Sequence, residues 1–249
     1  MAKGSGLAQA MFVGGRDLSG DVGSVQSCSA PRAVLEVTGI NQSARQRVNG
    51  LADGEITFNT WFNDAAGQAH IALRSLPTAD VIILYANRST VDAAAAGLVA
   101  KQMNYDWARG ADGSLQGTVQ GRGNGNALEW GVMLTAGSIS HASATNGASK
   151  DDAAATTAGL IGYLEVVSIA TGTPTFVIQE SSDDGGVDPF TSKISFAAVA
   201  AASAPTAERK TATGTVERYL RAATTGTFTT AVFAIMYRRG TSQDDVSLA

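Results

Sequence analysis

The stretch from residue 55 to 86 sets the tightest limits on what this chain can fold into. In Glu55-Ile-Thr-Phe-Asn-Thr-Trp-Phe62, the residues Ile56, Phe58, Thr60 and Phe62 share one face. That two-residue period belongs to a half-buried strand. Asn63-Asp64 follows, and short side-chain oxygens of this kind accept from the free N–H groups that open a helix. Ala66, Ala69, Leu73 and Leu76 recur at helical spacing and Pro77 ends the run, so the spacing predicts one helix over about 64–76. Val81-Ile-Ile-Leu-Tyr-Ala86 is a short, continuously apolar strand. The centre therefore reads strand, helix, strand, and nothing in it has a catalytic pattern.

Elsewhere the period is almost always two. Ala33 to Ile40 places Leu35 and Val37 toward a core and Glu36 and Thr38 opposite. One long strand is predicted over 97–107, and Leu115–Gly121 and Leu128–Leu134 continue it as a meander. Residues 137–157 are dominated by Ser, Ala, Thr, Asn and Gly and read as a linker. Beyond them come strands at 160–169, 175–180, 193–199, 215–222 and 229–238, several separated by Gly-rich turns. The expected fold class is mainly β: an N-terminal β-sandwich or barrel with one flanking helix over 1–150, and a C-terminal β-sandwich over 151–249. Residues 1–32 are rich in Gly and Ser around Ala10-Met-Phe-Val13, which fits either an arm that orders on a partner or a short first strand.

Asn41 to Asp53 is long for a hairpin connection, which usually runs about 2–5 residues. It carries Arg45 and Arg47, with turns at Asn41, Gly50 and Gly54. A long loop between paired strands is either functional or merely solvated.

Composition narrows the chemistry. Hydrophobic residues make up 44% and charged residues 16%, the reverse of a disordered chain. The neutral surface that remains suits packing against copies of itself. A net charge of -4 argues against a dedicated nucleic-acid binder. One cysteine, Cys28, cannot form an intrachain disulfide, and with only His70 and His141 a structural zinc site is not expected. No apolar run is long enough to span a bilayer, and the first residues lack a signal-peptide core, so synthesis and use without secretion are expected. Gly121-Arg-Gly-Asn-Gly-Asn126 superficially resembles a phosphate loop, but a strand follows it, so it reads as a hairpin turn. Ser182-Asp-Asp-Gly-Gly186 with Asp188 lacks the spacing of a calcium loop and reads as a turn. Neither histidine accompanies a nucleophile motif. Trp61, Trp107 and Trp130 lie on predicted strands, where core or interface packing competes with a sugar-stacking platform. The expectation is no enzyme, no catalytic residue, no cofactor and no metal.

Several stretches resemble the major tail protein, the tail-tube subunit, of long-tailed bacteriophages. They are Gly15-Arg-Asp-Leu-Ser-Gly-Asp-Val-Gly23, Ala33-Val-Leu-Glu-Val-Thr-Gly-Ile40, Leu51-Ala-Asp-Gly-Glu-Ile-Thr-Phe58, Gly67-Gln-Ala-His70, Lys101-Gln-Met-Asn-Tyr105, and Gly123-Asn-Gly125 with Leu128-Glu-Trp-Gly131. Gln179-Glu-Ser-Ser-Asp-Asp184, Ala207-Glu-Arg209 and Val216-Glu-Arg-Tyr-Leu-Arg221 are similar to β-sandwich extensions on phage virion proteins. The resemblance implies a structural virion protein whose copies form stacked, hexameric rings, a tail tube through which DNA passes without specific binding. It further implies other tail proteins (tape measure, terminator, distal tail) as partners, no membrane, assembly in the host cytoplasm and residence in the virion tail. In that family the long early loop makes inter-ring contacts, so the role of an inter-subunit or inter-ring loop falls on Asn41, Arg45, Arg47, Asn49 and Asp53. The alternative reading is a capsid-decorating or receptor- or carbohydrate-binding virion protein, with tryptophans and the C-terminal sandwich contacting sugar.

Overall fold

A computed structural model describes residues 6–241. Gly14 and Gly15, at φ +56 and +84, turn β1 (Ala10–Val13) back into β2 (Arg16–Asp17). The chain continues through β3 (Val22–Ser29), β4 (Arg32–Glu36), β5 (Arg47–Ala52) and β6 (Glu55–Trp61) to one short helix, α1 (Ala69–Leu73). Next come β7 (Val81–Ala86), β8 (Ala94–Gln102), β9 (Asp106–Arg109), β10 (Leu115–Gly123), β11 (Glu129–Met133), β12 (Ile139–His141) and β13 (Asn146–Asp151). The last third holds β14 (Leu160–Gly172), β15 (Thr175–Ser181), β16 (Thr191–Ser195), β17 (Thr206–Ala212), β18 (Tyr219–Thr225) and β19 (Phe228–Arg239). The described residues are mainly β with a single short α-helix, as the periodicity predicts, and one 3-10 turn at Ala201–Ser203.

One antiparallel path, β17-β14-β19-β11-β8-β10-β6-β3, runs from the C-terminal third into the N-terminal half. β1 and β7 join it through β8, β9 lies on β10, and β12 lies on β19. A second sheet, β13-β18-β15-β16, packs with β14 and β19 around Leu164, Phe176, Ile178, Leu220 and Phe233. The N-terminal core gathers Met11, Ile56, Phe58, Leu73, Leu98 and Val119. A third cluster draws from both halves: Phe12, Leu84 and Ala95 meet Ile161, Tyr163, Ala234 and Met236. Gly97 is needed there, because a Cβ on it would come within 2.7 Å of the Tyr163 ring.

Several elements differ from expectation, each for a visible reason. The helix begins at Ala69, because Asn63 spends its Oδ1 on the N–H of Ala65 (3.1 Å) in a local turn. Its first N–H, on Ala69, is instead satisfied by the buried Asp21 carboxylate at 2.9 Å. The strand expected over 97–107 breaks after Gln102, where Asn104 Oδ1 accepts from the Gln120 N–H at 2.8 Å in place of a ladder bond. The expected linker at 137–157 contains β12 and β13, paired to β19 and β18 respectively. The boundary drawn at residue 150 is thus crossed by β11, β12 and β13 and by the third core. β17 carries no strand signal in sequence, because Ala207-Glu-Arg-Lys210 has no apolar alternation.

Candidate assembly surfaces

Among the described residues β4 and β5 pair only with each other, as a two-stranded hairpin outside both larger sheets. Since β5 occupies 47–52, the connecting loop is residues 37–46, shorter than the expected 41–53. Leu35 and Val37, expected to face a core, are exposed, and so are Val34, Val48 and Leu51. Ile40 at the tip is 109% exposed. The tip is braced by its own bonds: Val37 N–H donates to Gln46 O (3.0 Å), Gln46 N–H to Thr38 Oγ1 (3.0 Å), and Thr38 Oγ1 to Glu36 (3.2 Å). Of the five loop residues carried over from the resemblance, Asn41, Arg45, Arg47 and Asn49 lie on this hairpin and are all exposed. Arg45 approaches Glu36 at 3.7 Å, an exposed pair of small energetic value. Asp53 is set apart at the hairpin's foot, 3.2 Å from Arg122. The apolar content of the hairpin is the feature that sequence reasoning misassigned; the signal was present in Val34-Leu35, Val48 and Leu51, but alternation alone does not say whether a face meets this chain or another.

The outward face of β3, β6 and β10 has the opposite character. Ser24 faces Asn59 and Ser27 faces Thr57 across one seam; Gln116, Thr118 and Gln120 face Trp61, Asn59 and Thr57 across the other. The cation at its end, Arg122, is held by Asp53 and by Glu55 at 3.0 Å. Among the described residues β3 pairs with β6 alone and forms an end of the sheet; its sequence, Val-Gly-Ser-Val-Gln-Ser-Cys-Ser, has neither charge nor proline to blunt that edge.

The seam between the halves is polar at its ends. Arg209 grips Glu129 with two bonds of 2.8 Å, and Tyr163 donates to the same carboxylate. Both charged side chains are almost wholly buried. Nearby, Asp152 accepts from Tyr237 (2.6 Å) and Arg239 (2.7 Å). Glu165 is wholly buried; one oxygen accepts from the Gly15 N–H and the other has no hydrogen-bond partner among the described residues. Its carboxyl is pushed well above the ordinary range by desolvation, only partly offset by the Gly15 N–H. Alongside lies a cleft of about 620 Å³ between β7–β8 and β17, lined by Val13, Val81, Ile82, Val99, Thr206 and Arg209 among others.

No family model matches the chain, and no curated protein matches it. Among solved structures, the chain is similar to the Dit (gp 19.1) protein of SPP1, a paradigm of the hub adsorption apparatus in Gram-positive infecting phages. Identity is 13%, coverage 93% of this chain and 99% of that one, and the TM-score 0.37. It is also similar to a chain of the phage p2 baseplate in its activated conformation with Sr: 9% identity, 94% and 99% coverage, TM-score 0.33. A chain of the same baseplate with Ca gives 9% identity, 95% and 100% coverage, and a TM-score of 0.32.

The remaining candidate residues fall as follows. Trp107 joins Phe62, His70 and Tyr105 in an aromatic cluster with ring separations of 4.7 to 6.2 Å, and His70 Nδ1 lies 3.2 Å from the Tyr105 hydroxyl. Trp61 and Trp130 are about half exposed. His141 is buried against Thr224 Oγ1 at 2.9 Å, and desolvation lowers its pKa. Burial pushes the Cys28 thiol up to about 11, which disfavours the reactive thiolate. In the 182–188 loop, Asp183 accepts from the N–H groups of Val187, Gly186 and Asp188, so its oxygens are spent on holding a turn. Gly121–Asn126 leads out of β10 into the turn before β11, with Asn124 bonded to Asp80 at 2.9 Å. No group of three potential metal ligands occurs among the described residues, and no described helix is long and apolar enough to cross a membrane.

Proposed function

We propose that this chain is a structural virion protein of a long-tailed phage, whose copies assemble into stacked rings that form the tail tube. The observation that carries the reading is the β4–β5 hairpin, an apolar projection that no other described residue covers. Exposed apolar side chains gathered on one projection are the kind of surface that protein–protein contacts use. The family resemblance adds the ring and the tube. Asn41, Arg45, Arg47 and Asn49 ride on the projection as inter-subunit contacts, and Asp53 fixes its foot. The neutral hydroxyl and amide face of β3, β6 and β10 suits a wall past which a polyanion moves without being gripped, because each lysine or arginine contact to a phosphate adds a salt-dependent attraction. The test is replacement of residues 37–46 by a two-residue turn. The shortened chain should remain folded, yet electron microscopy should show neither rings nor tubes. Normal tubes from that variant would overturn the reading.

One observation favours the second reading, a carbohydrate-binding virion protein. Half-exposed Trp61 borders a recess of about 140 Å³ lined by Ser24, Asn59, Thr60 and Gln116, with no charged group in it. Discrete monomers or trimers by microscopy, together with signals on a glycan array, would select that reading.

A further inference from the structure

We propose that the recess beside Trp130 binds a neutral oligosaccharide, with one sugar ring stacked on the Trp130 indole and the hydroxyls of a linked ring held by Asp92. The site is separate from the β4–β5 hairpin and from the Trp61 recess, and it does not depend on whether copies form a tube.

The recess has a volume of about 390 Å³. β11 pairs with β19 only at Val132 and Met133, so Trp130 stands beyond the last paired residues. Trp130 shares a strand face with Val132, which lies opposite Tyr237. Its side of the sheet is open, and the residue is 51% exposed.

The polar wall is a chain of charges that ends at the surface. Arg239 (2.7 Å) and the Tyr237 hydroxyl (2.6 Å) donate to Asp152. Asp152 in turn holds Lys150, and Lys150 reaches Asp92 at 3.2 Å. The inner three side chains are mostly buried, whereas that of Asp92 is 67% exposed. Apolar residues in place of a buried ion network are often as stabilising or more so. What this network does is fix one carboxylate at the rim. The Asp92 backbone is held as well, at φ +65, with its N–H donating to Met133 O at 2.9 Å. One carboxylate oxygen faces Lys150, and the other has no partner among the described residues.

An indole face and a fixed carboxylate with a free oxygen complement a sugar. The C–H face of a pyranose packs on an aromatic ring, and an ionised carboxylate accepts charge-assisted bonds from its hydroxyls. Because both groups are already placed, little ordering is left for binding. A protein partner is the poorer match, since interface cores are depleted of charged residues and this recess is ringed with them. Neutrality follows from which charges are committed. Lys150 is shared by two carboxylates, and Arg239 bonds Asp152, Thr156 and the carbonyls of Val216 and Glu217. Arg238 also lines the recess and lies 3.7 Å from Glu129. The exposed rim charge is therefore that of Asp92, which repels an acidic sugar. Register sets the length. Val132 pairs with Ala94, so Asp92 falls opposite position 134, four strand residues from Trp130. At about 3.3 Å per residue that is roughly 13 Å, more than one sugar ring spans.

The test is calorimetric titration of the full chain with maltohexaose, cellohexaose, mannohexaose and N-acetylchitohexaose, with their monosaccharides and with hexagalacturonate as the acidic control. At least one neutral oligosaccharide should bind, more tightly than its monosaccharide and than hexagalacturonate. Trp130→Ala and Asp92→Gly should each weaken binding about tenfold or more. Both positions are exposed and glycine suits the left-handed backbone at Asp92, so melting temperatures should stay near the parent's. Trp130→Phe should keep most of the affinity, and Trp61→Ala all of it. Binding of none of the neutral oligosaccharides, binding that survives both Trp130→Ala and Asp92→Gly, or binding lost with Trp61→Ala instead would each overturn the proposal.

Discussion

Glu165→Gln should change how stability depends on pH, and the structure fixes the sign. Glu165 has no exposed surface, one N–H donor from Gly15, and an orphan oxygen. Desolvation raises its folded-state pKa above the ordinary glutamate value of about 4.3. A carboxyl raised in this way is protonated in the fold and ionised in the unfolded chain as soon as pH passes the unfolded value. Its contribution is therefore fully present below the unfolded pKa and is lost progressively as pH rises through the interval up to the folded pKa. The limiting slope is about 1.4 kcal/mol per pH unit for one group. Glutamine does not titrate. Its carbonyl keeps the Gly15 bond, and its amide takes the place of the equally unpartnered acid hydroxyl, so near pH 4 the two proteins should agree to within about 1 kcal/mol. Above that, the variant should gain on the parent by up to about 1.4 kcal/mol for each unit, until the folded pKa is reached. Other carboxylates respond in the opposite direction: Asp151 and Asp152 have lowered values, so their stabilisation is lost as pH falls. Subtracting variant from parent removes them. The measurement is urea unfolding of both proteins from pH 4 to 9, with the midpoint and slope of each transition. Parallel stability curves across that range would mean that Glu165 is solvated, and that the Gly15 turn does not seal it beneath the first half of the chain.

Further outcomes follow from the same seam and surfaces. Glu129→Ala should cost about 3–5 kcal/mol, because it leaves Arg209 buried and uncompensated; thermal unfolding measures it, and a loss under about 1 kcal/mol would mean the pair is open to water. Gly97→Ala drives a Cβ to within 2.7 Å of the Tyr163 ring and should lower stability by about 1–3 kcal/mol, whereas an unchanged melting temperature would contradict the packing of the two halves. A 1–150 fragment strips β14 and β19 from Phe12, Leu84 and Ala95, so it should be insoluble or lack a cooperative transition; a soluble fragment that unfolds cooperatively would support an independent N-terminal unit after all. Assembled tubes should not bind short duplex DNA near physiological salt. Tight binding that weakens steeply with salt would point to a basic channel and against the tube reading.

Much of the fold could be read locally. The alternation in 55–61 and 115–121, the apolar run of 81–86 and the two-sided apolar strand at the C-terminal end all state their structure within a few residues, because a strand's two faces alternate in sequence. The turn at Gly125, with its φ of +76, is equally local. What failed were features decided by residues distant in the chain. The helix starts where Asp21, 48 residues earlier, supplies its cap. β13 and β17 are polar strands that exist because β18 and β14 offer their backbones, and backbone pairing leaves no mark in side-chain pattern. Nothing in the local sequence marks Glu165 and Glu129 as buried, since only the packing of one half on the other removes their water. The same holds for the hairpin. Its sequence determined an apolar alternation, which by itself points Leu35 and Val37 inward; the tertiary structure turns them outward, because burial depends on which surface lies opposite, and none of the described residues lies there.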